Sequence, residues 1–268
     1  MAGYRQFHGL SAPAFGRGIA RANLLVYPHL AEFADEMDTL LEDGGIGVLD
    51  GDMGIGKTTA LRHCLGRLDE SSSQVCYAGA TRHAVALLQG VVECLGVTPA
   101  RHRAALLRQV SQRVGRAYHE QRKKTLLILD DAHLLDDGLL EDVRLLTNFE
   151  MDAQDALVLL LVGHPALRKK LQQPVHLALW DRVRLHYRLE GLSREETAEY
   201  IGHHLRAAGG KSEIFTADAC DAIFEAAQGT PRRINALAVT ALKKSAARKA
   251  TPIDAAFVTA LVKQSKST

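Results

Sequence analysis

Cysteine is sparse in this chain. Cys64, Cys76, Cys94 and Cys220 stand far apart in the sequence, and none forms a C-x-x-C pair. In a chain of 268 residues that spacing argues against a disulfide framework. The thiols read as small buried hydrophobes in a reduced cytosol. The twelve histidines have no ligand spacing. His203 and His204 are adjacent, so on a helix they point in different directions and share no metal. The longest apolar run, Ala156–Val162, falls far short of the ~20 residues of a membrane helix. The opening stretch MAGYRQFHGLSAPAF lacks the apolar centre of a secretory signal. The expectation is a cytoplasmic protein with no membrane partner. Aromatics make up only 5% of residues, and the net charge is only +2. That charge taken alone argues against a strongly basic nucleic-acid binder, but a sum says nothing about where charges sit.

Hydrophobic residues make up 47% and charged residues 24%, the balance of an ordinary globular protein. The length fits one large domain, or one with a small appendage. Five short apolar runs read as strands: Ile46–Asp50, Gln74–Ala78, Thr125–Asp130, Ala156–Val162 and Val183–Leu189. Two of them, around Leu126–Leu129 and Leu157–Val162, are apolar throughout rather than alternating. Strands of that kind belong in a parallel sheet covered by helices. Between the runs, Lys57–Leu68, Ala84–Leu95, Ala104–Tyr118 and Leu139–Phe149 carry apolar residues at helical spacing. Alternating strand and helix signals mark an α/β fold.

After Leu189 only helical signals remain. Ser193-Arg194-Glu195-Glu196 reads as a capping box opening a helix to about Ala208. A second helix fits Ala217–Ala227. A third runs from Pro231 to about Lys249, and a last short one opens at Pro252 and Asp254. The expected organisation is therefore an α/β core with an N-terminal extension over residues 1–190, and a helical lid over 191–268.

Gly51-Asp52-Met53-Gly54-Ile55-Gly56-Lys57-Thr58 matches G-x-x-x-x-G-K-S/T, and Thr59 follows it. The motif sits between a predicted strand and a predicted helix, which is the context it requires. Its glycines let the backbone curl so that amide N–H groups point inward around a phosphate. The helix N-terminus adds partial positive charge. Lys57 reaches the β- and γ-phosphates, and the Thr58 hydroxyl helps hold Mg²⁺. Leu126–Leu129 then ends in Asp130-Asp131. Asp130 is placed to hold Mg²⁺, directly or through water, as a Walker B aspartate. Asp131 is placed to orient and deprotonate the attacking water. Together these motifs predict a binder and hydrolase of ATP·Mg²⁺.

With the motifs in this order, the chain resembles the AAA+ ATPases. More narrowly, it resembles the group containing the TnsC and TniB transposition regulators and the secretion ATPase ExeA. The resemblance is carried by His8-Gly9-Leu10 with Pro13 and Phe15, by Leu145–Glu150, by Leu161–Pro165 and by Gly229–Asn235. It covers nearly the whole chain and implies a P-loop parallel-sheet core with a helical lid. It also implies four roles. His164 falls at the sensor 1 position near the γ-phosphate, with a histidine merely packed in a loop as the other reading. Arg182 falls where such proteins place an arginine finger directed at a neighbouring subunit's ATP, and Arg184 is its rival. Arg232 matches the sensor 2 arginine of the lid. Asp131 stands where the family usually has glutamate. One methylene fewer sets the carboxylate about 1.5 Å farther from the water. A misplacement of ~1 Å can cost roughly 100-fold in rate, so slow hydrolysis is expected.

Residues 101–124 hold eight Lys/Arg against one acid, Glu120, and residues 229–268 hold eight against Asp254. Each zone is +7, and the remaining 204 residues are −12. Two basic zones in an acidic body suit contacts to a phosphate backbone. Few aromatics interleave with them, so stacking on single strands is disfavoured and double-stranded DNA is the expected ligand. The first zone holds a single acid for i,i+4 pairing. Arg101 and Arg103 stand at a helix start and Arg82 opens the preceding helix; the resemblance implies that these elements line the pore of an assembly.

The expected function is ATP-dependent regulation of transposition. The chain would form a ring or filament on duplex DNA, with a transposase and a target-selection protein as partners. One alternative is an ExeA-like ATPase for assembly of a secretion channel, against which the sequence shows no span beyond the lid. The other is a stand-alone replication or regulatory ATPase, against which it shows no winged-helix domain.

Overall fold

A computed structural model describes residues 3–16, 24–147 and 156–266. In chain order the elements are α1 (Gly3–Phe7), α2 (Pro28–Asp43), β1 (Gly45–Asp50), α3 (Lys57–Leu65), β2 (Ser73–Gly79), α4 (Ala84–Cys94) and α5 (Arg103–Gln121). There follow β3 (Lys124–Asp130), α6 (Asp137–Leu146), β4 (Leu157–Gly163), α7 (Ala166–Leu171), α8 (Leu177–Trp180) and β5 (Val183–Arg188). The last are α9 (Arg194–Ala207), α10 (Ala217–Ala227), α11 (Pro231–Arg248) and α12 (Ala255–Lys266).

The chain divides into two compact units. The first, His29–Met53 with Lys57–Leu189, is built on a five-stranded sheet in the order β2-β3-β4-β1-β5. All four pairings are parallel. Every residue of β4 is buried, as expected for a strand that contributes side chains to both faces. Leu127, Leu129, Leu159 and Leu161 pack with Leu88, Val91, Val110 and Val114 of α4 and α5. The sequence reading did not include α2, although Leu30, Phe33, Ala34, Met37 and Leu40 stand at helical spacing and are all buried. The helix expected over Leu139–Phe149 ends at Leu146, and Asn148, Phe149 and Glu150 lie outside the described residues.

The second unit is Met1–Pro28, Gly54–Gly56 and Glu190–Thr268. The sequence expectation places residues 1–190 together; by contacts, Met1–Pro28 groups with the helical unit. A buried polar anchor accounts for it. His8 Nε2 lies 3.1 Å from the Leu242 carbonyl and 3.0 Å from Ser245 Oγ on α11, and Ser11 N–H donates to the Ala208 carbonyl at 2.8 Å. A capping box opens α9: Glu196 N–H donates to Ser193 Oγ and Ser193 N–H donates to Glu196 Oε2. Pro231 occupies the first turn of α11, where its missing N–H costs no helical bond.

Candidate nucleotide site

The strand order brings the C-terminal ends of β1, β3 and β4 side by side. Three predicted segments therefore meet there: the loop after β1, Asp130 at the end of β3, and His164 just past β4. Ligands of open α/β sheets bind in the crevice outside such strand ends.

The loop from Gly51 to Gly56 turns from β1 into α3. Gly54 and Gly56 have φ of +82° and +112°, values that a side chain would strain. Gly51 and Ile55 are buried, whereas Asp52 and Met53 are exposed. Lys57 opens α3. Its Nζ donates to the carbonyls of Gly51 at 2.7 Å and Asp52 at 3.1 Å. Burial lowers the Lys57 pKa, and the charges of Asp130, Asp131, Asp52 and Asp50 oppose that shift. Thr58 is exposed on the first turn, and Thr59 beside it is half-buried.

Asp130 has both carboxylate oxygens engaged. Oδ1 accepts the Asp131 N–H at 2.9 Å, and Oδ2 accepts the Tyr77 hydroxyl at 2.5 Å. Asp131 has φ of +56°, and its side chain is exposed. His133 Nδ1 lies 3.9 Å from Asp131 Oδ1, and it is buried with no hydrogen-bond partner. The His133 and His164 rings are 6.1 Å apart, and His164 Nε2 lies 4.0 Å from Asp52 Oδ1. The sequence reading did not select Tyr77 or His133. His133 could have been found from its place three residues after Asp130. Tyr77 depends on the register of β2 against β3.

The fit to ATP·Mg²⁺ rests on this donor set. The left-handed glycines shape a backbone cradle, a half-buried ammonium sits at its rim, and hydroxyl and carboxylate oxygens are the ligands a hard cation takes. Among the described residues, no cluster of three or more His, Cys, Asp or Glu could hold a metal without a nucleotide.

The predicted arginines divide. Arg182 donates to Thr147 Oγ1 at 3.1 Å. Arg184 is folded onto the end of α2, where Nη1 donates to the carbonyls of Asp43 and Gly44. In the helical unit, Arg232 N–H donates to the Gly54 carbonyl at 3.2 Å. Arg82 and Arg101 are exposed. Arg103, expected to be available to DNA, grips both carboxylate oxygens of Asp142 at 2.5 and 2.7 Å. Asp142 is only 2% exposed, so the acid that the local sequence lacked comes from α6. Lys124 donates to the carbonyls of Leu41 and Glu42, Lys123 to that of Glu70, and Arg113 to that of Leu95. Arg101, Arg108 and Arg122 are exposed, with no such bond among the described residues.

The family model described as "AAA domain" matches residues 40–171, from the end of α2 through α7. That match spans just under half of the chain. The chain's overall fold is that of the AAA+ P-loop ATPases, with a parallel five-stranded sheet and a helical C-terminal region. The chain is 30% identical over 247 residues to general secretion pathway protein A of Aeromonas hydrophila, covering 91% of this chain and 45% of that protein. It thus spans about half the length of this curated relative. Among solved structures it is similar to Cdc6p of Pyrobaculum aerophilum (TM-score 0.67, 21% identity, 87% of this chain and 64% of that one). It is also similar to the ORC2 protein of Aeropyrum pernix in its ADPNP-ADP complexes (TM-score 0.68, 18% identity, 93% and 70%). A third is the Thermotoga maritima RuvB Holliday junction branch migration motor (TM-score 0.55, 16% identity, 89% and 69%). No helix among the described residues is long and apolar enough to cross a membrane.

Proposed function

We propose that this AAA+ protein binds ATP·Mg²⁺, oligomerises on duplex DNA in the cytosol, and there recruits or activates a transposase, with a target-selection protein as a further partner. The observation that carries the nucleotide part is that the loop beginning at Gly51 and the carboxylate of Asp130 stand at the C-terminal ends of β1 and β3, which flank β4. In this reading the loop amides and Lys57 hold the phosphates. Lys57 exchanges its two carbonyl partners for phosphate oxygens. Thr58 and Asp130 hold Mg²⁺, whose charge offsets that of the phosphates. Asp131 orients the attacking water and accepts its proton, while His164 contacts the γ-phosphate side. Arg182 acts as a finger toward a neighbouring copy, and Arg232 ties the lid to nucleotide state through its bond to the Gly54 backbone.

The DNA part is supported by exposed cations that have no acidic partner among the described residues, Arg82, Arg101, Arg108 and Arg122. Such side chains contact phosphates irrespective of sequence. The transposition role rests on the resemblance carried by the Gly229–Asn235 string and the segments named with it.

A second reading is favoured by one observation, the 30% identity to a general secretion pathway protein over 91% of this chain. In that reading the same ATPase cycle drives assembly of a secretion apparatus. Negative-stain imaging with ATP and duplex DNA separates the two. Rings or filaments that need both ligands support the DNA reading. A protein that stays monomeric with both overturns it and leaves the secretion reading.

A further inference from the structure

We infer that Tyr77 is a positioning residue for the Asp130 carboxylate, setting how tightly the nucleotide site takes up Mg²⁺; this rests on the ATP·Mg²⁺ reading of the site.

The register explains how a residue of the edge strand reaches the end of its neighbour. In the β2–β3 ladder Tyr77 pairs with Ile128 and Gly79 with Asp130. Residues two positions apart share a sheet face, so Tyr77 and Asp130 are diagonal neighbours on one side. That separation is within reach of an aromatic side chain. Gly79, directly opposite Asp130, has no side chain to stand between them. The Tyr77 hydroxyl therefore spans the diagonal and donates to Asp130 Oδ2 at 2.5 Å.

The bond leaves room for a cation. A carboxylate oxygen has two lone pairs. Oδ2 uses one for Tyr77, and Oδ1 uses one for the Asp131 N–H. Each keeps one for a metal or a metal-bound water. The two donors come from β2 and from the backbone after β3, so they fix the carboxylate plane from two directions. A second tie holds the β2 side in place: Ala80 N–H donates to the Asp130 carbonyl at 2.6 Å. An outer partner that orients a ligating carboxylate raises metal affinity, because the ordering cost is met before the metal arrives. Tyr77 itself is 47% exposed. Its ring contributes little to the core, so the residue acts through the hydroxyl bond rather than through packing.

The test uses the full chain and a fluorescent ATP analogue. Tyr77→Phe keeps the ring and deletes only the donor. Nucleotide fluorescence is titrated with Mg²⁺, and nucleotide affinity is measured separately in EDTA. We expect Tyr77→Phe to need about tenfold more Mg²⁺ at half-saturation, with metal-free nucleotide affinity and melting temperature unchanged. A superimposable Mg²⁺ titration, or a tighter one, overturns the inference. Equal losses with and without Mg²⁺ also overturn it, since they mark a general structural effect. If the parent binds the analogue with no response to Mg²⁺, the reading of the site itself fails and the inference falls with it. Tyr77→Leu, which removes the ring as well, checks that the ring alone contributes nothing to the Mg²⁺ midpoint beyond the hydroxyl.

Discussion

Asp50 and His186 are diagonal neighbours across the β1–β5 ladder, with Asp50 Oδ1 2.8 Å from His186 Nε2. Asp50 is the last residue of β1 and its side chain is 1% exposed. A buried carboxylate without a hydrogen-bond partner is expensive. His186→Leu is therefore expected to destabilise the protein by about 2–4 kcal/mol, through the stranded Asp50 rather than through lost packing. Urea denaturation measures it. Asp50→Asn combined with His186→Leu should recover part of the loss.

Lys57→Ala is expected to leave the fold intact, because among the described residues Lys57 Nζ bonds to two loop carbonyls alone. Nucleotide affinity should fall by roughly 100-fold, the scale of a charge-assisted phosphate contact in a half-buried site. Fluorescent-nucleotide binding reads the affinity, and circular dichroism confirms the fold.

Asp131→Glu is expected to raise the rate of ATP hydrolysis by about tenfold or more, because the longer side chain brings the carboxylate nearer to the water. Turnover under saturating ATP·Mg²⁺ tests this. A rate no higher than the parent's would sink the idea that Asp131 makes the protein a slow timer.

Arg101 and Arg103 are two residues apart and should behave differently. Arg101→Ala should weaken binding to any duplex and lower the salt slope of the affinity by about one. Arg103→Ala should instead unpair the buried Asp142 and cost about 2–4 kcal/mol of stability. Fluorescence anisotropy across a salt series reads the first effect, and thermal melts read the second.

His204 gives the pH dependence. Its ring is stacked against Phe15 at 5.1 Å and lies 4.2 Å from Tyr200. Burial, aided by His203, pushes its pKa down from 6.5 to about 4. The unfolded chain therefore takes up this proton more readily than the folded one. Stability from this residue is complete above pH ~6.5 and is lost as pH falls toward 4, by roughly 2–4 kcal/mol. His204→Leu should flatten that part of a pH–denaturation profile.

The sequence and the structure agree most closely where burial is complete. β3 and β4 are apolar on both faces, and their runs are recognisable from the sequence alone. Gly, Lys and Asp in the nucleotide loops are legible because phosphate and metal chemistry demands those residue types at fixed spacing. Three things were not legible for one shared reason, that they join residues distant in sequence. Tyr77 meets Asp130 through a ladder register. Arg103 meets Asp142 through the packing of α5 beside α6. His8 meets Ser245 across 237 positions, which moves the N-terminus into the helical unit. The helix α2 is different. Its buried positions stand at helical spacing, but acids interleave with them and dilute the apolar pattern.

The two margins of the sheet are unlike. β5 bears Arg184 and Arg188, and cations on an edge discourage a second strand from docking beside it. β2, at the opposite margin, reads Ser-Gln-Val-Cys-Tyr-Ala-Gly, with no formal charge and with Val75 and Tyr77 exposed. Among the described residues no strand pairs with its outer side. That margin is the most receptive place on the α/β unit for a stray extended chain. Self-association of concentrated or partly unfolded protein should therefore begin at β2, and a lysine in place of Val75 should suppress it.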